Sequence, residues 1–556
     1  MFSMSQKVTS RLFLKFRFTL KQKLHSMVPD VVIPNMHLEE CIWKNLEKWH
    51  NKTALVCAQT NRNYTYLQLH KKSNALASFL CNLDKLKQSD TVAVALPNLP
   101  EYAIIVLGVI QAGCKVTTLN PLYTSGEMSY QLIRAEPKVI FATPETYKTV
   151  QIALQLSKLH IPTIVVRAKN DSTLPHGAID FEEITRNHCD ANFDLRRSHD
   201  DTVLMLFSSG TTGLPKGVEI TSRGLVSCLH QLSAPKLDRL SETSESEQEV
   251  VPVVIPMFHI YGLVVNLLHG LLKGSKLVIV PKFSSELFVN VLETYKPTVL
   301  YVVPPIFHMM LNSNKFNLSH FTKTKSINSA AAPLGATDIM ALSEKLQGKV
   351  DIFQMYGQTE VCVTHVQSSQ IDDHRKPGGI GFLLPSTEAK IMSTTTGNEV
   401  AANRVGEMYL RGPQVMKGYY KDKNANDAAF TKDGWFKTGD LGYYDEDGHF
   451  FLTDRVKYLI KVNGYQVAPA ELEDLIRLHK DVDDVAVIGV PHKKFGEVPK
   501  AFVVRRRDSN VSSFAFQEFV KSKVVHYKQL IGGVSFVDSI PKSQVGKVQK
   551  NELNKY

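Results

Sequence analysis

The chain has 556 residues, room for two to four domains, and its 43% hydrophobic and 21% charged residues exclude a disordered or fibrous chain. Six charges of the net +11 fall in residues 1–29. The remainder shows no long basic run and no nucleic-acid module, which excludes nucleic acid as a partner.

The first 29 residues carry Lys7, Arg11, Lys15, Arg17, Lys21 and Lys23 with no acid before Asp30. Val8, Leu12, Phe16, Leu20 and Leu24 recur every four residues, as in a mitochondrial presequence or a helix lying on a membrane surface. "LFLKFRF" alternates, so a strand is the competing reading, and Met27 offers a second start that would make residues 1–26 dispensable. Mitochondrial is the expected address, with cytoplasmic or peroxisomal as alternatives, although Asn554-Lys555-Tyr556 is not a Ser-Lys-Leu signal. The seven cysteines (Cys41, Cys57, Cys81, Cys114, Cys189, Cys228, Cys362) form no CxxC pair, so they read as free thiols rather than as a disulfide framework or zinc site.

Beyond residue 40, short β-branched runs alternate with helix-length stretches. "TVAVALPN" (91–98), "KVTTLNP" (115–121), "KVIFAT" (138–143), "PTIVVRA" (162–168), "KLVIVP" (276–281) and "TVLYVVP" (298–304) predict buried parallel strands, and "EYAIIVLGVIQAG" (101–113) a helix between them. The fold class is therefore α/β. "LSETSESEQE" (240–249) predicts an exposed loop. Residues 250–272 lack Asp, Glu, Lys and Arg, but Pro252 and Pro256 interrupt any spanning helix and His259, Asn266 and His269 suit lipid poorly. A buried strand and a core helix are expected there. From Val405 the chain turns to strands and tight turns, with Asp-Gly pairs at 433–434 and 447–448. After Arg455 a smaller unit follows, with a helix at 470–479 and strands at 482–491 and 500–506.

Between apolar runs, "SSGTTGLPKG" (208–217) concentrates glycines, hydroxyls and a lysine. Backbone N–H groups in such a turn converge on phosphate oxygens, and hydroxyls and a cation add to them. The order is neither a Walker loop nor GxGxxG, so by itself the stretch reads equally as an ordinary turn. In chain order it is followed by "PMFHIYG" (256–262), "AAAPLG" (330–335), "YGQTE" (356–360), "TGD" (438–440), "DRVKYLIKVNGYQVAPAELE" (454–473) and "PKSQVGK" (541–547). Together these resemble the adenylate-forming superfamily, in particular 4-coumarate–CoA ligase and its acyl-CoA-synthetase relatives, over nearly the whole chain from residue 30.

The resemblance implies an acid–thiol ligase with ATP, Mg²⁺ and coenzyme A, joining a carboxylate to CoA through an acyl-adenylate. It implies an AMP-binding domain at 30–454, made of two αβ-layered subdomains and a small barrel-like part, and a mobile α+β domain at 455–556. Ser208, Ser209, Gly210, Thr211, Thr212, Gly213 and Lys216 would hold the β- and γ-phosphates, Thr359 the α-phosphate, and Glu360 the Mg²⁺, whose preference is for oxygen. Ala331, Ala332, Pro333, Gln354 and Tyr356 would bound the adenine. Asp440 would take the ribose hydroxyls, beside Arg455. His259 would lie near the substrate carboxylate, with Tyr261, Val265, Ala330 and Met355 around the acyl group. Lys547 would stabilise charge during adenylation with Gln466 nearby, Lys461 would serve the thioester step after a rotation about Lys457, and Asn463 and Gly464 would meet CoA.

Four residues depart from the plant ligase pattern: Met355 and Ala330 stand in place of glycines, Val265 in place of a polar residue, and Asn463 in place of a lysine. They point from hydroxycinnamate toward a fatty or other apolar carboxylate. A 4-coumarate-type aryl ligase, a luciferase-like oxygenase and a non-catalytic ATP-binding relative are the alternatives. A peptide-synthetase adenylation domain is disfavoured because no carrier domain follows Tyr556. The basic arm also offers peripheral membrane contact, and the oligomeric state stays open.

Overall fold

The computed structural model describes residues 24–167, 173–186, 197–208, 215–371, 376–463, 465–507, 509–543 and 546–553. Ser209, Gly210, Thr211, Thr212, Gly213, Gly464, Cys189 and the arm up to residue 23 lie outside them.

The apolar runs form the expected parallel strands. Thr91–Val94, Lys115–Thr118, Val139–Ala142, Thr163–Val165, Ile179–Asp180 and Thr202–Ser208 are joined in parallel. Lys216–Thr221 and the two-residue strand Gly418–Tyr419 extend this eight-stranded sheet antiparallel at one edge. A second layer runs Val250–Val253, Lys276–Ile279, Thr53–Cys57 and Asn63–Thr65. It meets a five-stranded sheet, Val299–Val302, Ser326–Ser329, Asp351–Gln358, Cys362–Val366 and Phe382–Leu383, where the Thr298 amide donates to Val250 O. Helix Glu101–Gln111 is buried at every position, which explains its nearly unbroken apolar sequence: it has no solvent face to keep polar.

An antiparallel sheet of Glu388–Met392, Gly406–Arg411, Phe436–Tyr444 and Phe450–Arg455 forms the barrel-like part, and Asp447-Gly448 turns between its last two strands with Gly448 at φ 78°. Leu24–His25 adds a fifth strand to it, pairing with Glu388 and Ala389. Leu24 is buried and the Ser26 hydroxyl donates to Leu383 O. Val28 is buried as well, so the last residues of the basic stretch contribute to this sheet and its packing.

The stretch 250–272 is a strand followed by a π-helix, Tyr261–Leu268, and a turn of α-helix, His269–Leu272. Among the described residues no helix is long and apolar enough to cross a membrane. The last hundred residues have their own core. Helices Pro469–Arg477 and Ser513–Lys521 pack through Leu472, Ile476 and Phe516 on the sheet Val482–His492, Gly496–Arg505, Ile460–Val462 and Tyr465–Val467.

Candidate active site

The glycine-rich stretch connects two neighbouring strands, with Ser208 paired to Lys216 at its base. Both ends of the loop are therefore pinned at one point. Beside them lies the hairpin tip Thr359–Glu360, which requires glycine at 357, because a Cβ there would lie 1.9 Å from Cys362 O. Glu360 is buried. The Ser208 hydroxyl donates to its Oε1 at 2.6 Å and the Tyr419 hydroxyl to the same atom at 3.1 Å. Lys216 Nζ sits 5.1 Å from the Tyr419 ring centroid. Ser208, Lys216, Thr359 and Glu360 are thus brought to one corner of the sheet.

A second cluster is built across the strand pair in which Asp440 faces Arg455. Asp440 is only 4% exposed. Its Oδ2 accepts from the Tyr356 hydroxyl at 2.8 Å and from Gln358 Nε2 at 2.5 Å, and its Oδ1 pairs with Arg455 Nε at 2.9 Å. The charge of Asp440 raises the Arg455 pKa, while burial and that same charge hold the Tyr356 phenol well above its usual range. Three donors thus hold the Asp440 carboxylate in one orientation, the geometry that an acceptor for ribose hydroxyls would need. Asp440→Asn is expected to weaken ATP binding tenfold to a hundredfold, on the order of one charge-assisted hydrogen bond, measured by calorimetry with Mg·ATP.

Near this cluster Ala331 adopts φ 76°, a left-handed conformation that strains a residue with a Cβ. Gln354 holds the turn in place: its Oε1 accepts from Leu334 N at 2.9 Å and its Nε2 donates to Gly379 O at 3.0 Å. Its amide is therefore engaged with backbone on both sides, supporting the segment of Ala331, Ala332 and Pro333 from behind.

His259 stands at the head of the π-helix. The preceding loop is clamped by Asn98, whose Nδ2 donates to Val253 O and Ile255 O and whose Oδ1 accepts from Met257 N at 2.8 Å. Thr118 Oγ1 donates to Phe258 O at 2.8 Å. Burial, and after it the charge of Lys547, push the His259 imidazole down to about 4, so the ring is neutral at pH 7. Tyr261, Val265, Ala330 and Met355 are all buried as well. The Tyr261 hydroxyl lies 3.0 Å from Asn328 O and 3.4 Å from Val302 O, so its proton is committed to backbone.

Lys547 opens to the cleft between the two domains yet is hemmed in by charged groups. Burial of its surroundings, then the positive charge of Arg455, hold its ammonium below the usual lysine range, with Asp440 and Glu360 pulling the other way. The neighbouring Gly546, at φ 79°, rests on Pro305 of the larger domain. Lys461 is exposed on Ile460–Val462, opposite Gln466 in register, and none of its described contacts joins it to this cluster. Lys457 lies beside Tyr458, and Asn463 is exposed at φ 48°. The structure thus gathers Lys547, His259, Glu360, Asp440 and Arg455 and leaves Lys461 and Asn463 aside. Gln358 and Tyr419 are the polar contacts that motif reading passes over; Gln358 stands inside "YGQTE".

Among the described residues no three His, Cys, Asp or Glu side chains are placed to hold a metal ion alone. Glu360 nevertheless fits Mg²⁺, which takes one or two carboxylates together with phosphate oxygens. Both described donors occupy Oε1, and Oε2 has no hydrogen-bond partner among the described residues.

Glu360, Asp440 and Lys547, which stand in three of the motifs that resemble the adenylate-forming superfamily, are thus brought within electrostatic reach of one another. The family model described as AMP-binding enzyme matches residues 42–420, and that described as AMP-binding enzyme C-terminal domain matches 471–547. The chain is 36% identical to 4-coumarate–CoA ligase 1 of Arabidopsis thaliana over 538 residues, covering 95% of this chain and 94% of that one. It is 37% identical to 4-coumarate–CoA ligase-like 4 of Oryza sativa subsp. japonica over 505 residues, 90% of each chain. ATP-bound MatB from Rhodopseudomonas palustris superposes with a TM-score of 0.84 at 28% identity, covering 94% of this chain and 99% of that one. The protein belongs to the AMP-binding enzyme family. It is an AMP-forming acid–thiol ligase that uses ATP, Mg²⁺ and coenzyme A.

Proposed function

We propose that this ligase activates an apolar carboxylate, a fatty acid or an aryl acid without a ring hydroxyl. The observation that carries this reading is the Tyr261 hydroxyl, which is spent on Asn328 O, while Val265, Ala330 and Met355, the apolar side chains that would line the acyl pocket, are buried. Burying a substrate hydroxyl against such a wall costs about 1–3 kcal/mol. The names of the plant relatives favour 4-coumarate, and a single comparison separates the two.

In the adenylation step a carboxylate oxygen attacks the α-phosphorus and pyrophosphate leaves. Every participant is an anion, so catalysis is placement and charge neutralisation. Lys547 would bridge substrate carboxylate and α-phosphate, with Thr359 and the Ser208–Lys216 loop on the phosphates. Mg²⁺ at Glu360 would neutralise phosphate charge. His259, neutral and clamped through its loop by Asn98 and Thr118, would border the carboxylate and exclude a competing cation. In the second step the CoA thiolate attacks the acyl carbon and AMP leaves. Rotation about Lys457 would then exchange Lys547 for Lys461, with Asn463 and Gly464 along the CoA arm.

Pyrophosphate release by the full chain with ATP, Mg²⁺ and CoA tests this across acetate, hexanoate, palmitate, cinnamate and 4-coumarate. The expected result is CoA-dependent turnover with kcat/KM for hexanoate, palmitate or cinnamate at least tenfold above that for 4-coumarate. A preference for 4-coumarate over cinnamate overturns the proposal.

A further inference from the structure

Residues 416–420 form a belt across the phosphate end of the site. The Met416 amide donates to Glu360 O at 2.8 Å, Lys417 N to Glu219 O at 2.9 Å and Tyr420 N to Gly217 O at 2.7 Å. This segment is therefore fastened to the Glu360 hairpin at one end and to the exit strand of the glycine-rich loop at the other. Asn426, on helix Lys423–Ala429, grips the middle: Tyr419 N donates to its Oδ1 at 2.6 Å and its Nδ2 donates to Tyr419 O at 2.9 Å.

The belt presents one buried side chain, Tyr419, to two groups of opposite charge. Its hydroxyl meets Glu360 Oε1 at 3.1 Å, and Lys216 Nζ lies 5.1 Å from its ring centroid, within cation–π range. With Ser208 donating to the same oxygen, two hydroxyls restrain the rotation of the carboxylate from its Oε1 side. No described contact pairs Lys216 with Glu360, an ion pair that would quench both.

We propose that Tyr419 is a positioning residue for the adenylate-forming half-reaction: its hydroxyl sets the carboxylate of Glu360 for Mg²⁺, and its ring seats Lys216 for the phosphates. The inference rests on Glu360 as the Mg²⁺ carboxylate. It acts on the first half-reaction alone, because the second involves no β- or γ-phosphate.

Tyr419→Phe removes the hydroxyl and keeps the ring, so packing and the Lys216 seat survive. The test is calorimetric binding of ATP to the full chain across a Mg²⁺ titration, alongside both half-reactions, the second started from synthetic acyl-adenylate and CoA. The expected result is ATP affinity without Mg²⁺ within twofold of the parent, and a Mg²⁺ midpoint raised at least fivefold. Adenylate formation falls at limiting Mg²⁺ and recovers in excess, and thioester formation is unchanged. A Mg²⁺ midpoint within twofold of the parent, or a parallel loss of both half-reactions that excess Mg²⁺ does not restore, overturns the inference. Glu360→Gln separates the two levels. If it leaves the Mg²⁺ midpoint unmoved, the assignment of Glu360 fails; if it moves the midpoint and Tyr419→Phe does not, only the role of Tyr419 fails.

Discussion

Lys547→Ala is expected to slow acyl-adenylate formation by 10²–10³, about 3–4 kcal/mol of transition-state stabilisation, the scale of removing one preorganised charge-stabilising donor. Thioester formation from supplied acyl-adenylate should be unchanged, since the proposed rotation carries Lys547 away. The residue lies in the cleft within electrostatic reach of Arg455, Lys457, Asp440 and Glu360, and its ammonium is held below the ordinary lysine range. The sign of the pH effect follows. Its working form is protonated, so adenylation should fall as pH rises through the lowered pKa, below the pH at which an unperturbed lysine would lose its proton. Rapid-quench measurement of adenylate between pH 7 and 10 checks both points. Equal losses in the two half-reactions, or an alkaline limb that survives in Lys547→Ala, would show that this lysine is not the group responsible.

The residues that reached the site by short-range logic are the ones the sequence displays. The strands from Thr91 to Val165 read as short β-branched and apolar runs because they are buried, and helix Glu101–Gln111 reads as nearly continuously apolar for the same reason. The glycine-rich connection, the Glu360 hairpin and the Thr438–Asp440 stretch of its strand are local motifs whose residues lie adjacent in the chain. Tyr419 was invisible for the opposite reason. Its strand is two residues long, too short for any period, and its partners Glu360 and Lys216 lie 59 and 203 residues away. Leu24–His25 escaped notice likewise, since two residues of pairing leave no pattern inside a basic stretch. The π-helix at Tyr261–Leu268 differs from an α-helix in hydrogen-bond register, not in composition, so the apolar run predicted a helix and not its kind. Gln358 stood inside a recognised motif, and only the fold shows its amide on Asp440.

Gly546→Ala is expected to lower adenylate formation about 100-fold while leaving thioester formation near the parent rate. Two costs combine at this position. An alanine at φ 79° carries roughly 1–2 kcal/mol of left-handed strain. Its Cβ would also stand 2.5 Å from Pro305 Cδ and 2.7 Å from Cγ, too close for either atom to remain where it is. A pyrrolidine ring at the start of helix Pro304–Asn312 has little freedom to yield. The small domain must therefore back away, and the next residue it delivers is Lys547. A misplacement of 1 Å at a catalytic group costs on the order of 100-fold. Pro305→Ala in the same chain removes Cγ and Cδ and leaves the backbone strain, so the double variant distinguishes the two costs. Recovery of tenfold or more in adenylate formation means that Pro305 is the seat on which the domain sets Lys547. No recovery would place the whole effect in the backbone of residue 546, and the contact with Pro305 would then be incidental to the reaction.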